Sequence, residues 1–204
     1  MAKHFVIGLT GASGAIYGFR LCEELLRAGH RLTVLASQPA IEVIREELGL
    51  SLRGDEATVR TALCRYLQTT DDTLAYYAAD NLLAPVASGS AAPEAMVVVP
   101  CSMGTLARIA SGVSTSLLER CADVMLKERR PLILVPRETP LNEIHLENML
   151  KLTRMGVRML PAMPAFYHQP QTLADLVDFL VGKVLDSLGI EQTLFRRWGG
   201  KEQS

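Results

Sequence analysis

The stretch Gly8-Leu-Thr-Gly11-Ala-Ser-Gly14-Ala places three glycines and two hydroxyls where an apolar run gives way to a helical one. Glycine lets the backbone come close to a phosphate, and a helix N-terminus offers free N–H groups and the positive end of a dipole. The chemistry this allows is binding of a nucleotide or flavin phosphate; the plainer reading is a tight packing turn. No Gly-Lys-Ser/Thr follows, so the loop is not a Walker A site. The spacing is not Gly-x-Gly-x-x-Gly, and no acidic residue ends the next apolar run to grip a ribose. FMN, with its single phosphate, suits such a loop better than NAD.

Other segments carry reactive side chains. In Pro100-Cys-Ser-Met-Gly-Thr105, the hydroxyls and N–H groups of Ser102, Gly104 and Thr105 either cap the next helix or also bind phosphate. Cys101 has no basic neighbour in sequence and reads as a packed thiol rather than a nucleophile. Arg137 and Glu138 follow a second apolar run directly, either as site residues or as a salt-bridged surface turn. Lys127, Arg129 and Arg130, taken alone, read as the basic end of a helix. Tyr167 and His168 follow a turn with Pro161 and Pro164, where an aromatic usually packs on the body of the protein. His145 and Glu147 lie two apart on one helix, do not share a face and make a poor metal pair, so no metal is expected.

The elements that must position these groups alternate in type. Continuous apolar runs predict strands at His4–Thr10, Arg31–Ala36, Ala95–Pro100 and Leu132–Val135, with a shorter candidate at Val157–Leu160. Helices are expected at Gly14–Ala28, from the Ser37 cap to about Leu48, near Thr105–Ala110, and at Ser116–Arg129, Asn142–Met155 and Thr172–Leu188. Strands this apolar are covered on both faces, which predicts an α/β fold of three layers, Rossmann-like (flavodoxin-like), around a mostly parallel sheet. Sites in such folds gather beyond the carboxyl ends of the strands, here Thr10–Gly14, Ser37–Ala40, Cys101–Thr105 and Arg137–Pro140. Ala84–Pro93, rich in small residues and turn formers, is expected to be a flexible surface loop.

At 204 residues the chain reads as one domain with a tail from about residue 189. Its 49% hydrophobic and 21% charged residues argue against disorder. A formal net charge of −1 gives no global attraction to nucleic acid or anionic lipid, so anion binding must come from local clusters. The four cysteines show no zinc spacing, which fits reduced, buried thiols. No signal peptide and no run near the roughly 20 apolar residues of a membrane span is present, and a cytoplasmic location is expected.

Taken together, GASGAIYG, ASGS, PCSMGTL, LLERCADVMLKERRPLILVPRETPL, HLENMLKL and PAMPAFYHQPQT resemble, in order and over nearly the whole chain, the UbiX-type flavin prenyltransferases. The resemblance implies transfer of the dimethylallyl group of dimethylallyl phosphate to N5 and then C6 of reduced FMN, without a metal. It also implies a homododecamer with sites at subunit contacts, and a product used by a UbiD-type decarboxylase, often in ubiquinone synthesis. Carried over to this sequence, Gly11, Ala12, Ser13, Ser37, Ser102, Met103, Gly104, Thr105 and Arg137 would contact FMN. Tyr167 and Lys183 would hold dimethylallyl phosphate, with Ser88, Gly89, Arg120, Lys127 and Arg137 around its phosphate. Glu138, working with Ser13, matches an acid that handles protons, and Glu47, beside Glu46, matches a second.

On this reading fixed cations stabilise the charge growing on the departing phosphate, and they stand in for a metal. Two alternatives stay open: an FMN-dependent decarboxylase of the same fold, and a non-catalytic FMN carrier. The cationic run Lys127–Pro140 favours the prenyltransferase over the decarboxylase.

Overall fold

β1 (His4–Leu9) is apolar along its length, and its side chains alternate between two cores because successive Cβ atoms point to opposite faces. Phe5, Ile7 and Leu9 enter one cluster, and Val6 enters the other. The structure is a computed structural model and describes residues 1–199. The chain continues through α1 (Ala15–Arg27), β2 (Arg31–Ala36), α2 (Gln38–Leu48), α3 (Glu56–Tyr66) and β3 (Leu74–Tyr77). It returns through β4 (Ala95–Cys101), α4 (Met103–Ala110), α5 (Leu117–Lys127) and β5 (Leu132–Pro136), then α6 (Glu143–Arg154), β6 (Arg158–Met159) and α7 (Leu173–Leu188).

All strand pairs are parallel, in the order β3-β2-β1-β4-β5-β6. The chain therefore winds outward from β1 to β3, then restarts at β4 and winds the other way. The reversal between β1 and β4 is the topological switch point, where open sheets of this kind leave a crevice. Residues of α1, α2, α3 and α7 pack on one face of the sheet, and residues of α4, α5 and α6 on the other. These are the three layers expected. No helix among the described residues is long and apolar enough to cross a membrane.

Helix starts follow the local chemistry. Ser37 caps α2 through Ala40 N, Ser116 and Glu119 form a capping box on α5, and Thr172 and Asp175 form another on α7. His145 caps α6 together with Asn142, a structural role for a residue with weak metal credentials. Two elements went unanticipated: α3, which buries only Val59, Leu63 and Cys64, and β3, a four-residue edge strand with alternating burial. The expectation of a flexible surface loop at Ala84–Pro93 is corrected for its first part, while Ser88, Ser90 and Ala91 do lie at the surface. Ala84, Val86 and Ala87 are buried in the second core, and the segment forms two short 3-10 turns. Small side chains there let the backbone press against α5, rather than leaving it loose.

Candidate functional site

Ser37, Thr10, Ser102 and Arg137 leave four adjacent strands at one edge of the sheet. Backbone bonds stitch them in a row: Ser37 N donates to Leu9 O at 3.0 Å, and Arg137 N donates to Cys101 O at 3.2 Å. Across the switch point the tie is Thr10. Its Oγ1 donates to Pro100 O at 2.7 Å and accepts from Ser102 N at 2.7 Å. The glycine loop and the Ser102–Thr105 loop thus become the two lips of one crevice. All four segments expected from the sequence lie along this edge.

In the glycine loop, Gly14 caps α1 at φ 109°, a left-handed conformation that L side chains rarely adopt. A Cβ there would also come to 2.9 Å from the ring of Tyr17. Ala12 is buried, while Gly11 and Ser13 face outward. The sequence suggested free N–H groups at the start of α1, but the structure shows them occupied. Glu47, from the last turn of α2, accepts from Gly14 N at 3.0 Å and from Ala15 N at 2.9 Å. An anionic side chain of the chain itself complements the positive end of the helix. Glu46 instead pairs with Arg45 on the surface at 2.8 Å, so Glu47 is the member of the pair that reaches the crevice.

Across the crevice, Ser102 caps α4 by accepting from Thr105 N at 3.3 Å. Met103 and Thr105 are buried, and Gly104 is exposed. The Cys101 thiol is fully enclosed, and burial pushes it up to about 12, so it is no nucleophile near neutral pH. Cys22 and Cys121 are likewise buried and pushed up to about 12.

Arg137 and Glu138 do not form an ion pair with each other among the described residues, which removes the reading of a salt-bridged turn. Glu138 is exposed, and its carboxylate accepts from Thr139 N at 3.0 Å. Arg137 Nε is buried and has no hydrogen-bond partner among the described residues. A buried guanidinium donor left unpaired costs free energy, so this one points to a missing acceptor. Burial raises the Tyr17 hydroxyl above its ordinary value while the charge of Arg137 pulls it down, which puts the two within electrostatic reach.

A second group gathers on the other helical layer. Arg120 Nε donates to Ala87 O at 3.2 Å, and the Lys127 ammonium lies 2.9 Å from where a Cβ on Gly89 would stand. Ser88, Gly89, Arg120 and Lys127 are therefore together, yet apart from the crevice. α5 starts beside Ala79, just past the carboxyl end of β3, and runs down to Lys127, a few residues before β5 begins. Lys183 is exposed on α7, on a third surface. Tyr167 is half-buried in the loop before α7, edge-on to Phe179 at 5.7 Å and to Trp198 at 5.4 Å. One chain thus spreads Arg137, Lys183 and the pair Arg120 and Lys127 over three surfaces. Gly200 and the rest of the tail lie outside the described residues.

Reading the sequence missed Thr10 as a tie, and it missed Arg108 and Glu119, which are joined across two helices by a hydrogen bond. The Ser116-x-x-Glu119 spacing is that of a capping box and could have singled out Glu119, but nothing local points to its partner.

Comparison with known proteins agrees with this architecture. A family model described as Flavoprotein matches residues 1–185. A protein of Halalkalibacterium halodurans named flavin prenyltransferase UbiX is 52% identical over 195 residues, covering 96% of this chain and 93% of its own. The crystal structure of AnUbiX (PadA1) with FMN and dimethylallyl pyrophosphate superposes with a TM-score of 0.87 at 40% identity, covering 99% of this chain and all of that one. A dodecameric structure from Escherichia coli O157:H7, described as an FMN-dependent UbiX-like decarboxylase, gives 0.85 at 41% identity, covering 97% of this chain and all of that one. With such identity sustained along almost its full length, and with a switch-point crevice built from the same loops that carried the resemblance, the chain belongs to the UbiX flavin prenyltransferase family of flavoproteins.

Proposed function

We propose that this chain is a flavin prenyltransferase, which moves the dimethylallyl group of dimethylallyl phosphate onto N5 and then C6 of reduced FMN. The observation that carries this reading is sustained identity with flavin prenyltransferases over nearly the whole chain. The crevice fits FMN on its own features. Arg137 offers a buried, unpartnered donor, and Ser37 and Ser102 cap helices whose N-termini face the same edge. Gly11, Ala12, Ser13 and Met103–Thr105 would complete the FMN contacts. Bound there, reduced FMN supplies an electron-rich ring system as the acceptor.

The residues of the chain do the rest. The bond between the allylic carbon and the phosphate oxygen breaks, and cations fixed around the phosphate stabilise the charge that develops on it. Arg120, Lys127, Arg137 and Lys183 supply that charge, with Ser88, Gly89 and Tyr167 as further contacts. These groups are separated within one chain, so the site is completed between subunits of a homo-oligomer, a dodecamer as in the E. coli relative. Exposed apolar side chains suit such contacts: Leu83 is 96% exposed and Leu173 80%. Ring closure joins the tertiary carbon of the prenyl group to C6: the prenyl double bond takes up one proton, and C6 releases one, which Glu138 accepts with Ser13 at hand. Glu47, fixed on the N–H groups of Gly14 and Ala15, is the second acid. The product serves a UbiD-type decarboxylase, and the enzyme acts in the cytoplasm.

Incubating the protein with reduced FMN and dimethylallyl phosphate without air tests the reading. A flavin heavier by one prenyl group supports it. Carbon dioxide from an added carboxylic acid, with no new flavin, would replace it with a decarboxylase; no turnover would leave an FMN carrier.

Lys183→Ala should raise the KM for dimethylallyl phosphate by about tenfold while leaving FMN affinity within about twofold, since a charged hydrogen bond to phosphate is lost far from the flavin loops. Equal loss of both ligands would contradict that placement.

A further inference from the structure

Glu119 is 4% exposed, yet its carboxylate is fully engaged. Oε2 accepts from Thr115 N at 2.9 Å, Thr115 Oγ1 at 2.7 Å and Ser116 N at 3.0 Å, while Oε1 accepts from Arg108 Nε. Burial would raise this carboxyl, but the bonds from Arg108 and Thr115 outweigh it and hold the group below its ordinary value. The carboxylate is therefore a fixed anchor, and the planar guanidinium it grips is fixed as well.

The other arm of that guanidinium reaches back to the buried first turn of α4, the helix that starts at the crevice. Arg108 Nη2 donates to Thr105 Oγ1 at 3.2 Å, and Nη1 lies 3.4 Å from where a Cβ on Gly104 would stand. Ser102 Oγ also donates to Thr105 Oγ1, at 3.1 Å. A hydroxyl has two lone pairs and one proton. With both lone pairs of Thr105 engaged, by Arg108 and Ser102, its own proton is the hydrogen left to give. That proton meets no acceptor among the described residues.

We propose that Arg108, anchored by Glu119, is a positioning residue that fixes the Thr105 hydroxyl as a hydrogen-bond donor toward FMN bound in the crevice. This rests on the flavin reading given above and adds to it a residue outside the loops that touch the flavin. Without the guanidinium, Thr105 can turn to donate to Ser102, and the donor that an oxygen of FMN needs is lost. Neither helix alone can set this polarity, because the anchor stands on α5 and the hydroxyl on α4.

The test is the dissociation constant of FMN for the intact protein, wild type against Arg108→Met, Thr105→Val and the double variant. Arg108→Met should weaken FMN by about tenfold. Thr105→Val should do the same, and the double variant should be no weaker than either single, because the two act through one hydroxyl. The KM for dimethylallyl phosphate at saturating FMN should stay within about twofold, since its contacts lie on other elements, and general loosening of α4 would instead make the two losses add. Unchanged FMN affinity in Arg108→Met, or effects that add in full in the double variant, would overturn the proposal. If loss of the partner of Glu119 prevents folding, Arg108→Lys keeps the charge but not the fork. It should bind FMN several-fold more weakly, and wild-type affinity in it would equally overturn the proposal. A wild type that fails to bind FMN would instead sink the flavin reading itself.

Discussion

Glu138→Ala should leave FMN affinity within about twofold and lower turnover by about 10²–10⁴, the usual worth of a positioned acid or base. The structure separates these two effects. Among the described residues, Arg137 Nε is buried without a partner, whereas Glu138 is exposed and bonded only to the next backbone N–H. The carboxylate is therefore available for proton transfer and contributes little to holding the flavin. Glu138→Gln refines the test, because it keeps the shape and one hydrogen-bond acceptor but cannot take a proton. If proton transfer is the role, Gln should be nearly as slow as Ala; if hydrogen bonding alone matters, Gln should recover most of the rate. Single-turnover measurement of prenyl transfer reads both variants, and an unaltered rate in Glu138→Ala would remove this residue from the chemistry.

Gly18→Ala should damage both the fold and the crevice. A Cβ at position 18 would stand 2.4 Å from Leu9 Cδ2 and 2.6 Å from the carbonyl oxygen of Val99. The leucine can shift, but the backbone of β4 cannot, so α1 must lift from the sheet. Overpacking of this kind costs roughly 1–3 kcal/mol, several degrees in Tm for a chain of this size. The N-terminus of α1 carries the N–H groups that hold Glu47 and the loop that lines the crevice. A displacement near 1 Å there should lower turnover by as much as about 100-fold. Ile16→Ala, on the same helix at a side chain 44% exposed, should change neither quantity by much. Thermal denaturation and steady-state kinetics on the two variants decide it: equal behaviour would mean that the contact of α1 with β4 is not the constraint the geometry makes it.

The strands and the loops behind them were legible because burial on both faces leaves a continuous apolar run, and loops of glycine and hydroxyl residues interrupt it. α3 and β3 were not, since a helix burying only Val59, Leu63 and Cys64 and a four-residue edge strand carry weak patterns. The turn Ala84–Ala87 misled for a related reason: small residues signal flexibility in isolation but close packing beneath a helix.

For the site, amino-acid types and their order determined that a parallel α/β fold would gather Gly11–Gly14, Ser37, Ser102–Thr105 and Arg137 at one edge, because chain direction alone fixes which end of a strand a loop leaves. Only the tertiary structure decided which groups meet there. It chose Glu47 over Glu46, set Thr10 across the switch point, left Arg137 Nε unpaired and joined Arg108 to Glu119. It also separated Arg120, Lys127 and Lys183 from Arg137 within one chain. Such pairings depend on side-chain direction and on how layers stack, which no local spacing encodes.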